Sequence, residues 1–460
     1  MKKIVLFFLA TLFLSGATVY SQVSGFGLSA AVPLATPALD ESSGLEYCRG
    51  KLWTHNDSGG EPEIYVINPA TGAITQTITL QGITNVDWED LASDGYYLYI
   101  ADTGNNVNGA RTDLAIYKIN LDDIPLTGDG TIPSDKIETI RFYYPEQGEN
   151  PTATSSNNTS FDCEAILIFN DKIHLFTKDW VNKTKTTEYF VPNIPHPTGA
   201  KYSATKLNEH STNFLVTGAD YSGINQVVLL GYQNSGFGSH YARIYSGFQG
   251  DDISTGTVYA PLSIGTVLSM GQAEAICFGD NPLTGYISNE QYSPIPAMLK
   301  PFTISYGAGS EPVLVTGVSL NKSTATIAVG SKETLTATLN PTDAADKLVF
   351  WTSSNPAIAS VSHSGEVTAI AVGTATITAT TEDGSKTADC EITVIESESS
   401  LFSGPKVIVK GNMVNTGLMN STIPMILQAP VFNNSGTLNV KGLEVGATTT
   451  LTNSGTLNVK

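Results

Sequence analysis

The chain is 460 residues long, with 41% hydrophobic and 15% charged residues, 42 glycines and 22 prolines, too apolar for a disordered chain and too long for one small core. Its 24 basic against 43 acidic side chains leave a formal charge of −19, which repels nucleic-acid backbones and argues against a nucleic-acid partner. Cys48, Cys163, Cys277 and Cys390 are too few and too scattered for a disulfide scaffold or a zinc cluster, and the length predicts two to four domains.

Met1 is followed by Lys2 and Lys3, an apolar run from Ile4 to Leu14, and small or polar residues to Gln22. This is the pattern of a secretory signal peptide, assigned to residues 1–21. The run is about half the ~20 residues a membrane helix needs, and no later stretch is longer, so the mature protein is expected to be secreted or held at the cell surface without a membrane span. Export places it where calcium is abundant and thiols oxidise.

Short alternating runs such as Glu63-Ile64-Tyr65-Val66-Ile67 and Tyr97-Leu98-Tyr99-Ile100 recur between Gly, Asn and Asp clusters, and no long window carries a helical apolar stripe. The chain therefore reads as all-β. A unit repeats within it: a small or acidic residue opens a short strand, a tight turn follows, and a second apolar strand usually closes on a carboxylate. Gly44-Leu45-Glu46 leads to Leu52 through Asp57, Trp88-Glu89-Asp90 to Tyr99 through Asp102, Cys163-Glu164-Ala165 to Leu175 through Asp179, and Ala273-Glu274-Ala275 to Ile287 through Glu290. A weaker copy runs from Thr217-Gly218-Ala219-Asp220 into Val227–Leu230.

The anchors Gly44, Glu89, Glu164, Gly218 and Glu274 lie 45, 75, 54 and 56 residues apart, room for a four-stranded sheet per unit. Radial repetition of such sheets makes a β-propeller, expected over residues 28–308 with five blades, or six if the 75-residue interval conceals another. The segment from Leu28 to Leu34 is expected to supply the outer strand that the last unit lacks.

Ser43-Gly44-Leu45 with Leu52 to Gly59, Trp88-Glu89-Asp90-Leu91-Ala92 with Tyr99 to Asn106, Val216 to Tyr221, and Glu274-Ala275-Ile276-Cys277 resemble the phytase-like and SdiA-regulated secreted propellers of bacteria, over roughly residues 30–305. The resemblance implies a propeller fold.

In a propeller the first strand of each blade lines the central channel, so a carboxylate repeated there gathers negative charge that needs neutralising. The hard cation that oxygen clusters select in an exported protein is calcium. The expected ligands are Glu89, Glu164 and Glu274, with Asp57, Asp102, Asp179 and Glu290 at the strand ends. A second reading has the aspartates capping turn amides, as Asx residues commonly do. Nearby, His55, Arg111 and Lys178 are the residues able to move a proton or bind an anion. His174 reads as a packed strand residue, and His196, His210 and His240 as loop histidines without identified partners. The cysteines read as small core residues.

From Val315 the texture turns to Thr, Ala, Val and Ser in about seven short strands around Trp351, the pattern of a small β-sandwich. Residues 312–395 resemble the bacterial Ig-like group 2 domain, with the Asn355-Pro356 turn and the Gly365-Glu366-Val367-Thr368-Ala369 step; the resemblance implies a spacer or adhesive module. After a linker at 396–403, Asn415-Thr416-Gly417, Asn434-Ser435-Gly436 and Asn453-Ser454-Gly455 recur every 19 residues across 404–460. This period predicts a short β-solenoid-like tail, which ends mid-pattern.

Two functional classes follow. The first is a secreted or cell-surface modular binding or adhesion protein, whose partner is an extracellular ligand, glycan or protein and whose C-terminal region attaches it to the cell envelope. The alternative is a calcium-dependent, phytase-like phosphoesterase. In it, calcium, Arg111 and Lys178 clamp a phosphate while His55 or a metal-bound water serves as base or nucleophile. The chain has no Gly-x-Ser-x-Gly elbow, His-Glu-x-x-His motif or P-loop, which favours the binding class. A third reading, a structural fibre component of the surface, rests on the tail alone.

Overall fold

The computed structural model describes residues 23–234, 238–307 and 311–396, and most of the strands between 407 and 459. The expected signal peptide and nearly all of the expected linker lie outside the described residues. The described chain is all-β, interrupted by one four-residue helix, Val267–Met270, and short 3-10 turns. Among the described residues no helix is long and apolar enough to cross a membrane.

Residues 23–306 build five sheets. At one edge of each sheet stand Ser42–Cys48, Trp88–Ser93, Asp162–Phe169, Leu215–Tyr221 and Gln272–Phe278, and the next two strands follow in chain order, antiparallel. Asp162–Phe169 is buried along its whole length, which is why its second part, Ala165 to Phe169, reads as a continuous apolar run rather than an alternation. The hairpins between first and second strands turn where the chain tolerates positive φ. Arg49 and Gly50 (φ 49° and 74°) connect Cys48 to Lys51, and Asn170 and Asp171 (φ 51° and 56°) connect Phe169 to Lys172, as tight hairpins of the right-handed twist require.

Neighbouring sheets share apolar cores in sequence. Trp53, Ile64 and Ile78 of the first meet Trp88 and Ile100 of the second; Tyr99 and Ile116 of the second meet Ile166 and Leu175 of the third. Leu167 and Phe176 then meet Val216 and Leu229, and Val228 and Ile244 meet Ile276 and Ile287. Finally Ala275, Cys277 and Leu299 of the fifth sheet pack against Leu45, Leu52 and Ile67 of the first. Carboxylates stitch the same seams: Asp90 accepts from Ile166 N at 2.9 Å and Asp220 from Phe278 N at 2.6 Å.

The outer strand of the fifth sheet comes from the N-terminal side, but earlier than expected. Val23–Leu28 pairs antiparallel with Met298–Tyr306, so that of the expected segment only Leu28, at the end of this strand, and Val32–Pro33 pair with it. Phe26 stacks on Phe302 at 4.6 Å, which fixes the strand five residues upstream of the expected start. The 75-residue interval holds no sixth sheet among the described residues. Its surplus goes to Gly130–Ile132, which pairs parallel with Ile74–Leu80 of the first sheet, and to the loop from 144 to 161.

Residues 317–395 form the Ig-like region, with Thr324–Ala328, Thr387–Ile395, Gly373–Thr381 and Val349–Ser353 in one sheet and Lys332–Thr334, Glu366–Ala369 and Ala359–Val361 in another. Trp351, Val367, Ile377 and Ile392 are buried in it. In the C-terminal segment three parallel sheets pair strands one repeat apart: Leu418 opposes Thr437, which opposes Thr456. Asn434 Nδ2 donates to Asn453 Oδ1 at 2.6 Å and Asn458 Nδ2 to Asn439 Oδ1 at 2.7 Å, stacked on the 19-residue period. The four cysteines are buried and unpaired.

Candidate functional site

At one step of each of these five edge strands the pairing slips by a residue. The slip falls between Trp88 and Asp90, Cys163 and Ala165, Val216 and Gly218, Ala273 and Ala275, and Ser42 and Leu45. A bulge of this kind re-aims the extra side chain, and the residues inside it are Glu89, Glu164, Thr217, Glu274 and the Ser43-Gly44 pair. The hydroxyls are spent locally: Ser43 Oγ donates to the Glu89 carbonyl at 2.8 Å and Thr217 Oγ1 to the Ala273 carbonyl at 2.9 Å. The three glutamates carry the charge.

Carboxylate oxygens of Glu89, Asp162 and Glu164 lie within 4.8 Å of one another, and so do those of Asp57, Asp87 and Glu89. Glu89 thus belongs to two adjoining triads. Such spacing suits oxygens that share one calcium ion, each at about 2.3–2.6 Å. Beside them Lys178 Nζ stands 2.8 Å from Glu164 Oε2 and 3.9 Å from Glu274 Oε2, above the rings of Trp180 and Tyr232 at 5.0 and 5.3 Å. Neither carboxylate oxygen of Glu274 has a hydrogen-bond partner, although the residue is only 4% exposed. Asp162 is held rigidly, accepting from Trp180 Nε1 at 2.7 Å and from the Asn105 amide at 2.5 Å.

The electrostatics follow from crowding acids out of water. Burial, then repulsion from Glu164 and Asp57, pushes Glu89 well above the carboxylate range. Burial, then Asp57 and Asp162, raises Asp87 to about 7, and burial, then Glu274 and Asp57, raises Glu290 to about 9. Burial also lifts Glu164, outweighing the pull of Lys178. For Lys178 burial opposes the charge, but Glu164 and Glu274 prevail and hold its ammonium protonated.

Of the residues singled out in the sequence, Glu89, Glu164, Glu274, Asp57, Glu290 and Lys178 come together. Asp102 and Asp179 are engaged in local structure instead. Asp102 accepts from Arg111 Nη2 at 2.7 Å and from the Asp87 amide at 3.2 Å, and Asp179 accepts from Ser160 Oγ, Val181 N and Asn182 N. Asp179 thus caps turn amides, whereas Asp102 is held chiefly by the Arg111 guanidinium. Arg111 is further tied to Asp113 at 3.1 Å and to the Gly104 carbonyl at 2.8 Å. His55 is fully buried, its Nδ1 on the Asn56 carbonyl and its ring edge-on to Trp88 at 5.5 Å. Burial lowers its pKa to about 4, so the ring stays neutral. Asp87 and Asp162 escaped the sequence reading. Each stands two residues before a repeat glutamate, in Asp87-Trp88-Glu89 and Asp162-Cys163-Glu164, and that recurring Asp-x-Glu step was the available signal.

Gly104 sets the room for the site. A Cβ there would stand 2.0 Å from Glu89 Oε1 and 2.4 Å from Asp87 Oδ2. Gly104→Ala is therefore expected to splay the two carboxylates and weaken any calcium response at least tenfold with the fold retained, as checked by circular dichroism and a calcium melting series.

The class of the chain is thus an all-β protein whose residues 314–392 match the bacterial Ig-like domain (group 2). Over 83 residues it is 52% identical to an Ig-like virion protein of Serratia phage KSP90, covering 18% of this chain and 32% of that protein. An uncharacterized protein of Clostridium acetobutylicum is 44% identical over 82 residues, 18% of this chain and 21% of its own length. An alpha-L-arabinofuranosidase of Bifidobacterium longum is 42% identical over 82 residues, 18% of this chain and 8% of that enzyme. The chain thus spans a third or less of these relatives. Among solved structures, a hypothetical protein from Leishmania major aligns over 62% of this chain and 92% of its own at 11% identity, with a TM-score of 0.35.

Proposed function

We propose that this is an exported, modular binding protein whose five sheets are the blades of a β-propeller, and that the propeller holds calcium at an acidic mouth. The succession of shared cores, with the fifth sheet returning to the first and an N-terminal strand completing it, supports radial closure. The parallel, period-matched pairing of the C-terminal strands supports a β-solenoid tail. In this reading the Ig-like domain and the tail hold the propeller at the cell envelope. The partner is an extracellular glycan or protein. Similar Ig-like stretches in a virion protein and in a glycosidase support a spacing or attachment role that is independent of any one chemistry.

The observation that carries the calcium assignment is the double triad sharing Glu89. Five carboxylates in so small a space repel one another unless protons or a cation neutralise them, and an all-oxygen set favours a hard cation. The phosphoesterase alternative is weakened because its proton-transfer and anion-binding residues are committed: His55 is buried and neutral, Arg111 is clamped by Asp102 and Asp113, and Lys178 is paired with Glu164. The test is a melting series in millimolar calcium with a parallel phosphomonoester assay. The expected outcome is a rise of about 3–6 °C in the wild type, little rise in Glu89→Gln, and no turnover. Calcium-dependent turnover abolished by Glu89→Gln would transfer the site to the enzyme reading, and an equal thermal response in both proteins would remove calcium from it.

A further inference from the structure

A second constellation lies away from the acidic mouth, on the third sheet and a loop of the fourth. Glu188, on Lys185–Pro192, is fully buried and bridges two histidines: Oε1 meets His174 Nδ1 at 2.9 Å and Oε2 meets His210 Nε2 at 2.7 Å. His210, on Thr205–Ser211, is 3% exposed. Asp252 approaches from the neighbouring loop, so that ligand atoms of Glu188, His210 and Asp252 all fall within 4.8 Å of one another.

We infer that Glu188, His210 and Asp252 form a binding site for a divalent transition metal of the zinc class. The donor set is one imidazole nitrogen and two carboxylates, which favours a borderline cation over calcium. Two carboxylates also match the charge of a dication, and one of them, Glu188, is fully buried. The metal takes the position of the proton that His210 Nε2 shares with Glu188 Oε2, and that proton leaves to solvent.

The surrounding groups orient the ligands as outer partners do in metal sites. Asp252 Oδ1 accepts from Ser254 N at 2.8 Å and Ser254 Oγ at 2.6 Å, and its Oδ2 accepts from Asn208 Nδ2 at 3.1 Å. His174 Nε2 is buried without a partner, whereas Nδ1 faces Glu188 Oε1 and donates to it. His174 is thereby a positioning residue, stacked on Phe169 at 3.7 Å. Asp252 is only partly buried, which leaves an open side for a water ligand.

The test uses the full chain, stripped with EDTA and dialysed, then titrated with Co²⁺ as a visible probe and challenged with Zn²⁺. The expected result is one Co²⁺ per chain with the intense visible bands of low coordination, displaced by one equivalent of Zn²⁺. Affinity should fall at least tenfold in Asp252→Asn and in His210→Gln, and stay unchanged in Glu89→Gln. Asp252→Asn changes a partly exposed loop residue, and its circular dichroism and metal-free melting temperature control for folding should His210→Gln fail to fold. Absence of Co²⁺ uptake by the wild type, or wild-type uptake by a folded Asp252→Asn, would overturn the assignment; loss in Glu89→Gln alone would move the ion to the acidic mouth.

Discussion

Lys178→Met is expected to destabilise the metal-free protein by about 3–5 kcal/mol, the cost of leaving a buried charge without its partner. Lys178 is the cation closest to Glu164 and also approaches Glu274, and all three side chains are nearly sealed from solvent. Methionine preserves most of the stem volume, so the loss reports the charge rather than a cavity. At roughly 2–4 °C per kcal/mol for a region of this size, melting should drop by about 6–20 °C. Glu164→Gln combined with Lys178→Met should restore more than half of the loss, because the orphaned carboxylate is then gone. Saturating calcium should also reduce the penalty, since a dication replaces the missing positive charge. A loss below about 1 kcal/mol, or no recovery in the double variant, would contradict the account of the cluster.

The second large effect is on pH dependence. Asp87 rises from 3.8 to about 7 and Glu290 from 4.5 to about 9. A carboxylate whose folded value exceeds its unfolded one binds its proton more tightly when folded. Its contribution to stability is complete below the unfolded value and is lost as pH rises through the folded one. Without metal, the melting temperature should therefore fall between about pH 5 and pH 9, by roughly 5 °C or more. With saturating calcium the decline should flatten, because the ion replaces the protons. A profile in EDTA that stays level across this range, or one that calcium leaves unaltered, would show that these acids do not share a field.

Much of the architecture was legible because it repeats. Glu89, Glu164 and Glu274 recur at matching steps of their units, and the structure puts all three in the same kind of bulge. The bulge itself left no mark in the sequence, since its extra residue is visible only against a partner strand. That is also why Asp87 and Asp162 went unread: the Asp-x-Glu spacing looks like ordinary strand alternation until neighbouring sheets bring Asp57 beside Asp87 and Glu89, and Asp162 beside Glu89. His55 is placed differently. Its place in Trp53-Thr54-His55-Asn56-Asp57 suggested the mouth, yet a Cβ on Gly44 would lie 2.5 Å from its Nε2, so it fills the space that glycine leaves in the first strand. The pairing of Glu188 with His174 and His210 was hidden because it joins three different strands of the third sheet. In the Ig-like region local pattern sufficed, and the matched residues 314–392 fall inside the interval read from the sequence.

The central claim, that the paired acid triads around Glu89 hold calcium, is tested most directly by equilibrium dialysis of the metal-stripped chain against radioactive calcium near neutral pH. The account predicts at least one ion bound per wild-type chain at millimolar calcium and a marked loss of binding in Glu89→Gln, whose amide removes charge from both triads. No bound ion in the wild type, or the same binding in both proteins, would contradict it.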